Sequence, residues 1–436
     1  RQMCIRDSYS VTANNKVVRS GKVSLDIEPQ ASKEFTVPVG NLKPQAGTEY
    51  FVNFNVTTVE KEPLIPIGHE IACDQFRLPI ESPKKAFKTS GPKLTVSTNG
   101  DNLSASSSKV NFVFNRKTGI VTSYKVDGTE YFSEGFGIQP NFWRAPTDND
   151  YGNGMPKRLQ VWKESSKNFN VTDATVTMDG NNAVVNVNYL LPAGNLYIVN
   201  YTIYPSGAVN VAARFTSTDM DAAQTEVSEA TRTATFTPGR DAARKEASKL
   251  NVPRIGVRFR LPASMNQVEY FGRGPAENYL DRNAGSMVGL YKSTAEELYF
   301  PYVRPQENGH HTDTRWVSLS TGKKGLLIQA DNTIGFNALR NSIEDFDDEE
   351  ATGLPRQWSN FTPEQVANHD EAAAKNVLRR QHHINNITPR DFVEVCVDLK
   401  QQGVAGYDSW GSRPEPAYTL PANREYNWGF TLIPLK

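Results

Sequence analysis

Three cysteines in 436 residues, Cys4, Cys73 and Cys396, are too few and too widely spaced for a disulfide framework or a zinc site. Net charge is absent too, because 48 Lys plus Arg balance 48 Asp plus Glu. Nucleic acid and membrane surfaces usually select a basic excess, so neither is an expected partner. No apolar run approaches the ~18 residues that a transmembrane helix needs. Histidine is scarce: six residues, including the doublets His310–His311 and His382–His383. None has a metal-type partner at helical spacing, and they read as surface or loop residues. The acidic run Glu344–Glu350 (EDFDDEE) reads as a solvated loop rather than a cation site.

Turn formers and β-formers are plentiful, with 30 Gly and 26 Pro among many Thr, Val, Tyr and Phe. The composition predicts an all-β chain, and the length gives room for two to four domains of about 100–200 residues. From Tyr9 to about Pro79, apolar residues alternate as Val23/Leu25/Ile27, Phe35/Val37/Val39 and Tyr50/Val52/Phe54/Val56. Turn signals stand between them at Asn14–Asn15, Ser20–Gly21 and Gln45–Gly47, a spacing that predicts a β-sandwich over residues 9–80. Residues 81–92 (ESPKKAFKTSGP) are aperiodic and read as a linker. A β-rich block over 93–436 follows. Within it Val185–Leu191, Tyr197–Ile203 and Val209–Phe215 predict a three-strand meander. Val393, Val395, Val397 and Leu399 predict a strand with Glu394, Cys396 and Asp398 on a second, more polar face. Thr233–Leu250 reads as a short exposed helix or a mobile loop, and Asn360–Arg380 as a loop with a helical turn.

The densest stretch is Tyr270–Trp316, where Gly272, Gly274 and Pro275 predict turns among aromatics that suit either a sugar-facing surface or a packed β-domain loop. Two segments inside it, YFGRGPAENYLDR (Tyr270–Arg282) and YVRPQENGHHTDTRW (Tyr302–Trp316), closely resemble the small-chain domain of large β-galactosidases, glycoside hydrolase family 2. NFWRAPTDND (Asn141–Asp150) resembles that domain's opening motif. GHEIACDQF (Gly68–Phe76) is similar to the closing strand of the immunoglobulin-like domain before it, with Cys73 where a tryptophan is common. Arg1–Ser8 (RQMCIRDS) do not resemble the family and are expected to be foreign to it.

The resemblance implies an immunoglobulin-like β-sandwich followed by a large galactose-mutarotase-like β-supersandwich. It implies retaining hydrolysis of terminal β-D-galactosyl residues by a preceding TIM barrel. Retention needs two carboxylates ~5–5.5 Å apart, and nothing singles out such a pair among Glu277, Glu296, Glu297 and Glu307. No alternating strand–helix array of barrel size is present, so the catalytic set is expected to be none here. GYDSW (Gly406–Trp410) resembles a family loop whose tryptophan forms an aromatic platform. Trp410, Asp408 and Ser409 are therefore the implied substrate-binding residues. Arg144, Asp148, Arg273, Glu277, Asn278, Arg304, Glu307 and Asn308 are implied structural or interdomain residues. Asp148 and Asp150 with Asn149 and Asn153 can also be read as an oxygen-rich cation loop, against a turn capped by Asx side chains. No cofactor is evident in this segment, and Mg, Na or Ca is left to the barrel. Implied partners are a galactoside, the N-terminal and barrel domains of the same chain, and a homo-oligomer. An autonomous carbohydrate-binding module and an aldose epimerase are the rival readings.

Overall fold

Period-two alternation marks the strands over Val110–Asn115, Asn182–Leu190, Leu196–Ile203 and Val209–Thr216. The computed structural model describes residues 5–23, 27, 30–61, 63–216, 250–347, 383–408 and 411–436. The expected short helix or loop at Thr233–Leu250 and the expected helical turn at Asn360–Arg380 lie outside the described residues, Leu250 excepted. The chain divides into two units. The first runs to Phe87 and takes in Phe271–Pro275 and Ala284–Tyr291; the second holds the rest. No helix among the described residues is long and apolar enough to cross a membrane.

The first unit is a four-stranded antiparallel sheet. Its strands are β1 (Ile5–Ala13), β2 (Lys16–Val23), β3 (Tyr50–Thr58) and β4 (Glu70–Arg77), in the order β2-β1-β3-β4. β1 begins at Ile5, within the octapeptide expected to be foreign, and keeps register with β3 from Ile5–Thr58 onward. Tyr9, Val11 and Val52 form the core of this unit, covered by Val37, Val39 and Leu42. The expected strand at Phe35–Val39 is absent, because Pro38 has no N–H to donate to a ladder. Ser20–Gly21, expected as a turn, lies inside β2; Tyr9 packs over Gly21, where a Cβ would come within 2.4 Å of the ring. Gln75 closes the unit by exchanging two hydrogen bonds with the Val288 backbone, at 2.9 and 2.8 Å.

The second unit opens with a five-stranded meander: β5 (Thr95–Asn99), β6 (Asn102–Ser106), β7 (Val110–Asn115), β8 (Ile120–Val126) and β9 (Thr129–Glu130). A twelve-stranded sheet follows. It starts with β10 (Gln139–Asn141) and continues, after the short helices α1 (Asp148–Gly152), α2 (Met155–Arg158) and α3 (Gln160–Ser165), with β11 (Asn170–Asp179). The expected meander is β12 (Asn182–Leu190), β13 (Leu196–Ile203) and β14 (Val209–Thr216). It alternates buried and partly exposed residues as patterned. Then come β15 (Arg254–Pro262), β16 (Gln267–Gly274) and β17 (Met287–Thr294), of which the stretches 271–274 and 287–291 belong to the first unit, and β18 (His311–Ser320), β19 (Gly325–Leu339), β20 (Phe392–Gln401) and β21 (Tyr426–Leu435). The main order is β10-β15-β20-β19-β21-β14-β13-β12-β11. Tyr189, Tyr197 and Tyr201 from the meander are buried with Phe112, Phe114, Phe142 and Trp162, giving an aromatic core. Gly272 lies within β16 rather than at a turn; the chain turns at Gly274–Pro275, which is a cis peptide.

Candidate functional site

Two polar constructions stand out in the second unit. The first is the base of the loop 403–412. Asp281 reaches it from 123 residues away in sequence, its Oδ1 accepting from Val404 N at 3.0 Å and its Oδ2 from Ala405 N at 2.7 Å. Ala405 is left-handed (φ 55°), and Gly406 follows with φ 93°. Successive N–H groups in such a turn converge on one point and favour an anion. Across the loop, Asn149 Nδ2 on α1 donates to Val404 O at 3.2 Å and to Ser412 O at 2.7 Å. One amide thus holds both ends of the loop. Within it, Ser412 Oγ accepts from Gly406 N and Tyr407 N at 3.3 and 3.1 Å, and Asp408 Oδ1 accepts from Ser412 N at 3.3 Å.

The second construction is a buried charge face on β15, β20 and β19. Arg258 and Arg260 on β15 meet Glu394 on β20 at 3.4 and 2.9 Å, and Arg258 meets Glu344 at 2.8 Å. Arg254, fully buried, lies 3.1 Å from Asp398 and 3.2 Å from Glu307, and donates to Asn337 Oδ1 at 2.7 Å and Gln401 Oε1 at 2.5 Å. The residues directly across from Asp398 are Gly256 on β15 and Gly335 on β19. A Cβ on Gly256 would come within 2.1 Å of Asp398 Oδ1, and one on Gly335 within 2.7 Å of the His310 ring. These two glycines make the room that the polar side chains occupy.

This face departs from expectation. Glu394, Cys396 and Asp398 were expected on the more polar side of their strand, yet all three are buried. Glu394 is satisfied by pairing with Arg258 and Arg260 rather than by water, and Cys396 Sγ lies 3.8 Å from Asn141 Nδ2. Burial pushes the Asp398 carboxyl up to about 7, with Arg254 opposing the rise and Glu307 adding to it. Neither Asp398 oxygen accepts a well-formed hydrogen bond, because the Arg254 contact is close in distance but poor in angle. His310 and His311, expected at the surface, are buried. Burial, then the Arg254 cation, holds His310 well below its ordinary value, so the ring is neutral. Asn337 Nδ2 donates to Glu307 and Asn308, so its Oδ1 accepts, and the network places the His310 proton on Nδ1, 2.9 Å away. A cavity of about 20 Å³ lies beside Arg254, Glu307, Asn337 and Glu394. That is space for a water molecule, not for a sugar.

A model described as "Beta galactosidase small chain" matches residues 106–432, and one described as "Beta-galactosidase, domain 4" matches residues 5–79. The chain belongs to the β-galactosidase small-chain family. A β-galactosidase of Priestia megaterium is 29% identical over 431 residues, covering 98% of this chain and 36% of that protein. One from Streptococcus thermophilus is 24% identical over 432 residues, covering 98% and 35%. The chain thus spans little more than a third of the length of these relatives. A galactose 1-epimerase from Lactobacillus acidophilus overlays only loosely, with a TM-score of 0.37 and 8% identity over 78% of this chain and 98% of that one.

The small-chain motifs converge on the two constructions. In the opening motif, fully buried Arg144 pairs with Asp150 at 2.5 Å, while Asp148 is exposed and meets Arg304 at 3.3 Å. Arg304 also lies over the Tyr151 ring at 3.8 Å. Asp150 completes a capping box with Thr147 and Asn149 holds the loop, so this motif caps and anchors rather than forming a cation loop. Glu277 accepts from Gly309 N at 2.7 Å and Arg282 at 3.1 Å, and also from Tyr302. Asn278 Oδ1 accepts from Thr312 N at 3.0 Å and Thr312 Oγ1 at 2.6 Å. Asn308 Oδ1 accepts from Phe300 N at 3.2 Å. Glu307 belongs to the charge face, and Arg273 donates to Ser286 O at 2.8 Å within the first unit. Ser409 and Trp410 lie outside the described residues; Asp408 is exposed.

In the acidic run, Asp345 and Asp347 are buried, not solvated: Asp345 pairs with Arg390, and Asp347 takes Lys163 Nζ and Trp143 Nε1, both at 2.7 Å. Among the described residues, no group of three or more His, Cys, Asp or Glu side chains is placed to hold a metal ion. Asp281, Arg254, Gly256 and Gly335 were missed in the sequence. Arg254, Arg258 and Arg260 on one face of β15, with Gly256 between the first two, and lone glycines inside strands were the available signals.

Proposed function

We propose that the whole protein is a retaining β-galactosidase acting on terminal non-reducing β-D-galactosyl residues, and that this chain is its C-terminal portion. The observation that carries the reading is alignment over 98% of the chain with relatives named β-galactosidase. On this reading residues 9–80 form the immunoglobulin-like domain, 81–92 the linker and 93–436 the small chain. The two carboxylates and any Mg, Na or Ca belong to a barrel earlier in the same polypeptide. A homo-oligomer fits the reading too. Arg144, Glu277, Asn278, Glu307 and Asn308 keep the small chain rigid, and the anchored loop presents Trp410 as a stacking platform for the galactoside, flanked by Asp408 and Ser409.

The test uses a chromogenic β-galactoside. The full-length protein should hydrolyse it, and residues 1–436 alone should give no turnover. In the full-length protein, Trp410→Ala should weaken substrate binding by about 1–2 kcal/mol, about 5- to 30-fold, and Trp410→Phe should recover part of the loss. Robust turnover by the isolated chain would overturn the assignment. So would a large fall in melting temperature for Trp410→Ala with unchanged kinetics, since a core tryptophan costs ~3–5 kcal/mol to truncate.

A further inference from the structure

We propose that Asp281 is a positioning residue: its carboxylate sets the direction in which the chain leaves β20 and enters the loop at 404–408. This rests on the functional reading of that loop given above. Several independent features of the structure point to Asp281. Both carboxylate oxygens are committed to consecutive loop amides, Val404 N at 3.0 Å and Ala405 N at 2.7 Å. The residue just before them is Gly403, where a Cβ would come within 2.4 Å of Asp281 Oδ2, so the carboxylate sits directly against the backbone. Ala405 takes a left-handed conformation that an L-residue adopts only at a cost, and the two charge-assisted bonds hold it there. On the far side, Asn149 fixes Val404 O and Ser412 O. The loop base is therefore held from two faces, by an acceptor pair on one and a donor pair on the other.

Asp281→Asn keeps the size of the side chain and one oxygen but turns an NH2 toward one of the loop amides. Asp281→Ala removes both acceptors. Hydrogen exchange at Val404 and Ala405 should speed up on the order of tenfold in the Asn variant and more in the Ala variant. In the full-length protein, KM for a β-galactoside should rise about 3- to 10-fold in the same order, with kcat changed by less than about twofold. Unchanged exchange at both amides would overturn the proposal. Faster exchange with wild-type KM would also overturn it, leaving Asp281 a purely stabilising residue. A wild-type full-length protein inert toward β-galactosides would sink the functional reading instead, and the exchange result would still decide whether Asp281 sets the loop.

Discussion

Replacing Asp398 with asparagine keeps its shape and removes its titration. In the folded protein this carboxyl is fully buried, faces Arg254 at poor geometry and has Glu307 nearby, and burial pushes it up to about 7. In the unfolded chain it titrates near 3.8. Between those values the folded state binds the proton and the unfolded state does not, so stability falls as pH rises. The interval corresponds to about 4 kcal/mol. His310 works in the opposite sense: it stays neutral when folded but takes a proton when unfolded below its ordinary value, so its part of the stability is lost as pH falls. The wild-type profile mixes both slopes, and subtracting the Asp398→Asn profile isolates the Asp398 part. Native-state hydrogen exchange at the β15–β20 amides reads the opening free energy of this sheet. Asp398→Asn should gain on the wild type by about 4 kcal/mol between about pH 4 and about pH 8. A flat difference, or one that moves in favour of the wild type as pH rises, would show that Arg254 stabilises an ionised Asp398 and refute the reasoning.

Gly256→Ala should destabilise the second unit by about 1–3 kcal/mol, because its Cβ would fall 2.1 Å from Asp398 Oδ1 and 2.6 Å from Val397 O. Gly285→Ala, in the first unit and with nothing within 4 Å, is the comparison and should change the stability of that unit by less than about 0.5 kcal/mol on denaturant unfolding. An equal effect at both sites would refute the account of the glycine slots. Trypsin should cut first after Lys84, Lys85 or Lys88, which are exposed in a stretch without regular structure. Mass spectrometry showing a first cut inside Tyr270–Trp316 would contradict the packing of that segment.

The elements easiest to read were those where one strand face is buried and the other wet. Val185, Val187 and Tyr189 are buried, with Asn186 and Asn188 between them, and the alternation marks the strand unambiguously. β20 shows where that reasoning fails. Its second face carries Glu394, Cys396 and Asp398, and by polarity alone the two carboxylates belong in water. They are buried because Arg254, Arg258 and Arg260 lie across from them, some 140 residues earlier in the chain. Polarity in one strand reports exposure only when no opposite charge faces it. The same error misplaced Asp345 and Asp347, whose partners Arg390, Lys163 and Trp143 are all distant in sequence.

The loop anchor was harder to foresee, for a related reason. The motifs containing Asn149 and Asp281 were visible in the sequence, and the loop from Gly406 was visible as well. Nothing local joined them, since the contacts span 255 and 123 residues. A side chain that accepts from a distant backbone N–H leaves no periodic trace, unlike a strand or a helix face. The trace lies at the receiving end instead. Gly403 has no room for a side chain, and Ala405 and Gly406 adopt left-handed backbone angles. A turn of that shape presents consecutive N–H groups to one side and calls for an anion there. Read in this direction, Gly403–Val404–Ala405–Gly406 asks for a carboxylate, and Asp281 is the residue that supplies it.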